Sequence, residues 1–463
     1  MSDTSVDVEA RPRPEGQADV PASAGPARWR NPATWPTDVL APLGYWASSR
    51  LLMIMTVFSS GENAKGEVHR LYEKWAHLLA GGSYPLGDPT WQYPPGAAGV
   101  MLAPKLVPGV NYVQGFVAVT CLADLLIVGA LVWQGRRPGR TLGGAWAWSL
   151  GLPLMLYIPY ARYDVIVTLF AVLGLLLLQR RPMLGGWMAA LGAMIKVWPA
   201  FAVFGAPWGR GLRSVAIGFA SAVVSLLVLV SLFLKGPFDF LNAQGSRGIE
   251  FESLPGSALL VAHQFGYHSE IAYRYGSLEI VGSYVDLIGK GMLALSVIGF
   301  CWLLWWRIRV RVFSAATPAD AALAAMLVFV TTSRVISPQY FIWLIGVGAV
   351  CLTYRATTQR AVVAMLIGAV ALTTVEFPLF FQQILAGHTG FTLLLAARNL
   401  LLLAATVLSC VRLWRATVPR RRGPDAGTPA AVPAARKDGE GPVTSATQPR
   451  RASDRTADQE NAQ

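Results

Sequence analysis

The chain has 463 residues, of which 54% are hydrophobic and 14% are charged, and its formal net charge is +13. Soluble domains carry about 25% charged residues, so this composition excludes a soluble globular protein and indicates a membrane protein. The excess positive charge lies in short arginine clusters between apolar segments. Such clusters are typical of cytoplasmic loops of membrane proteins, so no nucleic-acid partner is expected.

Apolar runs long enough to cross a bilayer recur along most of the chain. Residues 214–234, for example, form an uncharged run, and a crossing takes about 20 residues. We therefore predict a polytopic membrane domain over residues 37–415. Residues 1–36 and 416–463 lack apolar runs and are predicted to be disordered cytoplasmic tails.

The arginine clusters give each apolar segment a direction if every cluster is cytoplasmic. These clusters lie at 136–140, 179–182, 210–213, 307–311 and 420–422. Full crossings are then predicted near 41–60, 112–134, 143–160, 164–179, 214–234, 285–306, 361–379 and 391–411. Both termini are predicted to be cytoplasmic.

Three other apolar segments, 95–108, 183–208 and 319–354, do not fit simple crossings. The second and third begin and end at arginine clusters, so each is predicted to be a pair of short helices. Residues 95–108 are predicted to form a half-helix. Broken helices are tolerated in a membrane only when they are buried in protein or line a cavity. Together these segments predict an all-α bundle of about 10–13 membrane helices.

The same topology leaves two sizeable outer loops, residues 61–93 and 235–284. The first contains an amphipathic helix, predicted to lie flat at the outer interface with Tyr72 and Trp75 at the level of the lipid headgroups. Its apolar positions follow helical spacing: Val68, Leu71, Tyr72, Trp75, Leu78 and Leu79.

The first outer loop ends in the sequence Trp-Gln-Tyr-Pro-Pro, residues 91–95. Proline is tolerated in the first turn of a helix, so this sequence predicts the start of the half-helix. Trp91 and Tyr93 are predicted either to anchor the loop at the interface or to stack on a sugar ring.

Charged residues are predicted to converge on the outer side of the membrane. They are Glu67, Arg162, Asp164, Lys196, Arg247, Glu252 and Arg334. Lys196 lies between apolar residues, where a lysine is costly and indicates function. Cations can bind a phosphate headgroup, and a carboxylate can accept a proton from an attacking hydroxyl. The pattern predicts an enzyme that acts on a lipid phosphate, with no metal or other cofactor required.

Five sequence blocks, in this order, resemble glycosyltransferase family 87. They are LYEKWAHLLAGGSYPLGDPTWQYPPGAA, ARYD, IKVWP, RGIEFES and SRVISPQYFIWL, and the resemblance covers about residues 40–410. It implies a GT-C-type bundle in the plasma membrane of an actinobacterium. It also implies transfer of a hexose, usually mannose, from polyprenyl phosphate.

The resemblance assigns roles to individual residues. Glu67 becomes the general base, at a position where relatives carry Asp, and Glu62, Asp88 and Asp164 remain alternatives. The donor phosphate is assigned to Arg162, Lys196 and Arg334. Residues expected around the substrate are Asp164, Trp91, Tyr93, Arg247, Glu252, Gln339 and Tyr340.

The expected reaction is an inverting displacement at an outward-facing site, with a glycolipid or glycan as the acceptor and membrane lipids as partners. Two alternatives stay open at this point. A transporter or flippase of lipid-linked sugars also needs broken helices and buried cations, although no internal repeat is visible. The third interpretation is an inactive scaffold for envelope assembly.

Overall fold

The computed structural model describes residues 37–88, 90–240, 248–274 and 276–419, apart from the side chains of residues 62 and 63. The predicted N-terminal tail, nearly all of the predicted C-terminal tail and Arg247 lie outside the described residues. The last helix continues to Thr417, two residues past the predicted end of the membrane domain.

The described chain is mostly helical. The helices of its first half are α1 (Thr37–Ser59), α2 (Gly61–Glu67), α3 (Glu73–Ala80), α4 (Ala97–Leu102), α5 (Tyr112–Gly135), α6 (Gly143–Gly151), α7 (Ile158–Ala161), α8 (Asp164–Leu177), α9 (Pro182–Ile195) and α10 (Arg210–Phe233). A π-helical segment, Val68–Tyr72, joins α2 to α3, and 3₁₀ segments follow α4, α6 and α9.

The second half adds a small sheet and seven helices within the described residues. The strands are β1 (Ile249–Glu250), β2 (Ser269–Arg274) and β3 (Ser277–Gly282). The helices are α11 (Leu254–His263), α12 (Val285–Arg309), α13 (Thr317–Thr332), α14 (Tyr340–Thr353), α15 (Arg360–Thr374), α16 (Phe381–Leu385) and α17 (Thr389–Thr417).

Five helices are long and apolar enough to cross a membrane: α5, α10, α12, α17, and α15 together with the turn that follows it. Six shorter apolar segments, including α8, α9, α13 and α14, accompany them. Many leucine and valine side chains on α10 and α12 are exposed. Such a surface is suited to lipid rather than to water. The predicted all-α polytopic fold is therefore confirmed.

The predicted broken helices are present. Residues 95–108 form the short α4 and a 3₁₀ turn, and residues 183–208 divide at Lys196, where α9 has ended. Residues 319–354 form α13 and α14. The single helix predicted near 143–160 was wrong. It divides into α6, a 3₁₀ turn and α7, because Pro153 lacks an N–H for a continuing helix and the backbone turns at Leu156.

Backbone hydrogen bonds join loops that the arginine clusters assign to the same side. The N–H of Thr141 donates to the carbonyl of Thr353 at one end of the bundle. At the opposite end the N–H of Tyr84 donates to the carbonyl of Lys235. We call the first the arginine end, because the clusters around Arg140 and Arg355 lie there, and the second the loop end.

The loop after α10 contains a sheet that the sequence analysis did not predict. Its antiparallel strands have the order β1-β3-β2, with Ile249 opposite Ile280 and Ser269 opposite Gly282. Apolar side chains of this loop pack with Leu395 of α17. The loop is therefore a folded part of the protein and rests on the last helix.

Hydrogen bonds from a buried polar cluster on α17 hold this second loop. The Arg398 guanidinium contacts the Glu376 carboxylate at 2.7 Å, and both side chains are almost fully buried. Arg398 and Asn399 each donate a hydrogen bond to the backbone carbonyl of Glu252. Burial, followed by the nearby charges of Glu376 and Glu250, raises the pKa of the Glu252 carboxyl well above its usual range.

A second buried network joins α1 to α5, α6 and α7. The carboxylate of Asp124 contacts Nε of Arg50 at 2.8 Å. It also accepts hydrogen bonds from the indoles of Trp46 and Trp148 and from the hydroxyl of Tyr160. Five donors on three helices therefore converge on one carboxylate of a fourth helix, counting Nε and Nη2 of Arg50 separately.

The start of α4 packs directly against the end of α9. The N–H of Gly96 donates to the carbonyl of Met194 at 2.7 Å, and a Cβ at Gly96 would lie 2.7 Å from that same oxygen. The Gly96→Ala substitution should therefore lower the free energy of unfolding by about 1–3 kcal/mol. Thermal unfolding in detergent measures the loss.

Gly99 offers a matched control in the same short helix, because a Cβ there would have no neighbour within 4 Å. Alanine at this position should leave the stability unchanged or raise it by about 0.5–1 kcal/mol, since alanine is the better helix former. Equal losses of stability in Gly96→Ala and Gly99→Ala would show that the contact with Met194 does not explain the cost of alanine at residue 96.

Candidate functional site

The candidate site begins at Glu67, where α2 changes to the π-helical segment. Residues five apart on an α-helix point about 140° away from each other, because each residue turns about 100°. The wider π turn brings Tyr72 back to the face that carries Glu67. Its hydroxyl donates to Oε1 of Glu67 at 2.7 Å. Burial, and then the adjacent Glu67 carboxylate, hold the pKa of Tyr72 well above its usual range, so the hydroxyl stays a donor.

Arg162 holds the other oxygen of this carboxylate. It lies in the turn between α7 and α8, and its Nη2 is 2.6 Å from Oε2 of Glu67. The side chains of Arg162 and Glu67 are 23% and 31% exposed. The carboxylate is thus fixed at both oxygens but is still accessible from the loop end.

A second ion pair lies next to the first, because Asp164 begins α8 two residues after Arg162. Nζ of Lys196 is 2.6 Å from Oδ1 of Asp164, and the Trp343 indole donates to the same oxygen at 2.6 Å. The side chain of Lys196 is 15% exposed, whereas that of Asp164 is 1% exposed. Lys196 therefore faces the open side of the pair, and Asp164 lies behind it.

Aromatic rings surround the ammonium group of Lys196. Its Nζ is 4.5 Å from the ring centre of Tyr163, 5.2 Å from Trp343 and 5.9 Å from Tyr93. Cation–π contacts at these distances stabilise the charged lysine. Trp343 itself is stacked on Tyr340. The break between α9 and the 3₁₀ segment that follows it therefore lies beside the break between α13 and α14.

Comparison with known families identifies the chain. The sequence profile of glycosyltransferase family 87 matches residues 91–338, which is more than half of the chain. The chain belongs to glycosyltransferase family 87. It is therefore a multi-pass membrane glycosyltransferase. A search of curated proteins finds no match.

The family match covers one half of the site. Arg162, Asp164 and Lys196 lie within the matched residues of this family 87 glycosyltransferase, and Glu67 lies before them. The ion pair between Glu67 and Arg162 joins the first loop to the matched region.

The aromatic residues of the first loop do not have the surroundings that their predicted role requires. Tyr72 and Trp75 are fully buried, and Trp91 is 2% exposed. Trp91 packs edge-on against Trp75 and Tyr93. Anchoring at the lipid headgroups was therefore wrong for Tyr72, Trp75 and Trp91, and Trp91 is too buried to stack on a sugar. These rings instead form the packed support beneath Glu67.

Asp88, an alternative base, is engaged in the turn that precedes Trp91. It accepts hydrogen bonds from Thr90, from the Trp75 indole and from Lys74. Burial opposes its ionisation, but these hydrogen bonds outweigh the burial and lower the pKa of Asp88. The side chain of Glu62, another alternative, lies outside the described residues.

The remaining predicted site residues are divided between other surroundings. Glu252 belongs to the cluster on α17, and no hydrogen bond or ion pair links it to Glu67, Arg162 or Lys196 in the described chain. Arg334 lies in the turn before α14 and lines a separate cavity. Gln339 is the N-cap residue of α14. The predicted grouping of Arg334 with Arg162 and Lys196 on a donor phosphate stays a prediction.

Proposed function

We propose that this glycosyltransferase moves a hexose, with mannose as the first candidate, from polyprenyl phosphate to a hydroxyl of a glycolipid or glycan. The observation that carries the proposal is the accessible Glu67 carboxylate, held at 2.6 and 2.7 Å beside the ion pair of Lys196. A positioned carboxylate next to cations suits a reaction in which a hydroxyl attacks and a phosphate leaves.

Glu67 is the proposed general base. Arg162 and the hydroxyl of Tyr72 hold the Glu67 carboxylate in place, where it can take the proton of the acceptor hydroxyl. Asp164 is less suited to this step, because it is buried and its accepting oxygen already binds Lys196 and Trp343. Its proposed role is to orient Lys196.

The transfer is proposed to be a single displacement. As the acceptor proton moves to Glu67, the acceptor oxygen bonds to the anomeric carbon and the bond from that carbon to the phosphate oxygen breaks. The electron pair stays on the phosphate, whose added charge is stabilised by Lys196 and Arg162. The phosphate leaves already ionised, so this scheme needs no general acid, and a β-linked donor gives an α-linked product.

The proposed orientation follows from the distribution of charge. Arginine-rich loops favour the cytoplasmic side of a membrane, which supports an outward-facing loop end. On the outer side of the plasma membrane, a sugar carried on a lipid phosphate can reach the site by diffusing in the bilayer. Membrane lipids surround the protein and are its proposed partners.

The test uses the purified chain in nanodiscs with radiolabelled polyprenyl-phosphate mannose and a total lipid or glycan extract. We expect label in a new glycolipid or glycan product, and no transfer from a nucleotide-linked mannose. Failure with every polyprenyl-phosphate hexose would contradict the proposal. Movement of an unchanged labelled donor across proteoliposome membranes would then favour the transporter.

The Tyr72→Phe substitution should lower kcat by about 10- to 100-fold, because it removes a hydrogen bond to a charged group. The KM for the donor should stay unchanged, since the buried hydroxyl acts through Glu67. The matched control is Tyr84→Phe in the same loop, which removes a hydrogen bond to the carbonyl of Pro95 but touches no carboxylate. Equal rate losses in the two variants would indicate general loosening of the loop.

A further inference from the structure

Three turns meet at the arginine end and bring their arginines together. They are residues 136–142 after α5, residues 178–181 after α8 and residues 354–360 after α14. The N–H of Arg355 donates to the carbonyl of Gly139, which joins the third turn to the first. The guanidinium of Arg140 donates to the side chain of Gln179 at 2.8 Å, which joins the first turn to the second. The three turns therefore form one surface.

Two guanidinium groups of this surface lie over aromatic rings. Cζ of Arg140 is 3.5 Å from the ring centre of Tyr354, and Cζ of Arg137 is 3.7 Å from that of Trp133. Contact with a ring occupies one face of a guanidinium and leaves the N–H groups at its edge for other partners. Nη1 of Arg137 and Nη1 of Arg140 are buried, and neither has a hydrogen-bond partner in the described chain. Each is therefore a charged donor that still needs an acceptor.

Burial and like charges both disfavour the charged form of these arginines. Burial, and then the charges of Arg180 and Arg140, lower the pKa of the Arg137 guanidinium. Burial also lowers the pKa of Arg140, and the charge of Arg180 acts in the same direction. Arg180 itself is exposed, so the group is open on its side. We call Arg137, Arg140 and Arg180 the arginine cluster. An anion placed among them would offset their repulsion and accept from their N–H groups.

No carboxylate of the described chain forms an ion pair with the arginine cluster. The three turns contain seven arginines and neither aspartate nor glutamate. Asp320 of α13 faces the third turn, but it is buried and already accepts hydrogen bonds from Thr357 and Thr358. Asp38 at the start of α1 is exposed and pairs with no arginine of the described chain. The cluster therefore carries a net positive charge.

The lipid-facing side of α5 ends at this cluster. Every exposed residue of α5 lies on one stripe with helical spacing: Gln114, Ala118, Leu122, Leu125, Leu126, Gly129 and Trp133. At 1.5 Å per residue the stripe is about 28 Å long, close to the thickness of the hydrocarbon core. Trp133 ends the stripe, and tryptophan is enriched where a membrane meets water. Because Arg137 lies over Trp133, the cluster stands where lipid headgroups meet the protein.

We propose that the arginine cluster binds the phosphate of an anionic phospholipid, whose hydrocarbon chains lie along the exposed stripe of α5. A phosphate offers several oxygens to the planar donor sets of arginine. The arginine end is the proposed cytoplasmic side, and the cytoplasmic leaflet is rich in anionic lipid. This site lies at the opposite end of the bundle from Glu67. It goes beyond the proposed transfer reaction and does not depend on it.

The same turns hold the far ends of two helices that carry the candidate site. Helix α8 runs from Asp164 to the second turn, and α14 runs from Tyr340 to the third. A lipid phosphate that joins the turns should therefore hold these helices together and raise the unfolding midpoint of the protein.

The test measures binding of phosphatidylglycerol to the full chain in a neutral detergent by native mass spectrometry, with phosphatidylcholine as the reference lipid. Arg137→Gln and Arg140→Gln should each weaken binding of phosphatidylglycerol about tenfold, because each removes a charge-assisted contact. Arg140→Lys should also weaken it, since lysine keeps the charge but lacks the planar set of donors. Arg213→Gln, which removes an exposed cation elsewhere at the arginine end, should leave the affinity unchanged. Thermal unfolding without lipid checks that each variant is folded.

Wild-type affinity in both the Arg137→Gln and the Arg140→Gln variant would overturn the lipid site, as would equal binding of the two lipids by the wild type. An equal loss in Arg213→Gln would overturn it in favour of general attraction to a basic surface. Displacement of the lipid by an equal concentration of glycerol phosphate would show that the ligand is a soluble phosphate. If a variant at Arg137 or Arg140 does not fold, Arg180→Gln at the exposed position supplies the same comparison.

Discussion

Replacing Glu67 with glutamine is expected to lower the rate of sugar transfer by about 10²- to 10⁴-fold, which is the usual contribution of a general base. Glutamine has nearly the same shape and keeps an oxygen that can accept from Tyr72, but its amide cannot take the proton. Donor affinity should change little, because the proposed phosphate contacts lie on Lys196 and Arg162. Single-turnover rates and donor binding, measured on the same preparation, separate the two effects.

The Glu67→Asp variant should keep part of the activity, because it retains the base but moves it back by one methylene. Glu73→Gln provides the matched control. Glu73 lies in the same loop and pairs with His69, away from Arg162, so its loss should leave the rate within about twofold. Full activity in Glu67→Gln would show that another carboxylate is the general base, and Glu62 would be the next residue to replace.

The positions of the membrane helices could be predicted from sequence because two strong constraints act on them. Each crossing needs an apolar run of nearly fixed length, and arginine clusters mark one side of the membrane. The breaks could also be read, since Lys196 and the segment around Pro338 interrupt apolar sequence that is too short for two full crossings.

The contacts within the site could not be predicted in the same way. Lys196 and Arg162 could be recognised as functional candidates, but their carboxylate partners depend on tertiary packing. Trp343 donates a hydrogen bond to Asp164, but it is one of several aromatic residues in an apolar helix, and nothing in the sequence distinguishes it. The π turn that aligns Tyr72 with Glu67 is likewise invisible, because the helical spacing on either side of it is ordinary.

Some of the missed residues did carry a signal. Arg50, Asp124 and Arg398 all lie in apolar segments, where an ionisable residue calls for a buried partner or a function. The sequence does not show which residues pair, since Arg50 and Asp124 are 74 positions apart. The spacing identified most of the buried face of the first loop, although Leu78 is exposed, and that face packs on protein instead of on lipid headgroups.

The Asp124→Ala substitution is expected to lower the free energy of unfolding by about 3–5 kcal/mol, the usual cost of leaving one buried charge without its partner. Arg50 would keep its charge inside the bundle, and Trp46, Trp148 and Tyr160 would lose the acceptor that they share. Thermal unfolding in mild detergent measures the loss, which should appear as a markedly lower midpoint and a reduced yield of folded protein.

The double variant Arg50→Met/Asp124→Asn distinguishes a lost charge partner from lost packing. Asparagine keeps a carbonyl oxygen for the indoles and the tyrosine, and methionine removes the buried charge, so the double variant should be more stable than Asp124→Ala. If the double variant and Asp124→Ala have the same unfolding midpoint, the network stabilises the fold through packing rather than through charge.

The Asp124 network also bears on activity, because Tyr160 lies two residues before Arg162. Any folded Asp124→Ala protein should therefore lose transfer activity, since Arg162 would no longer be held against Glu67.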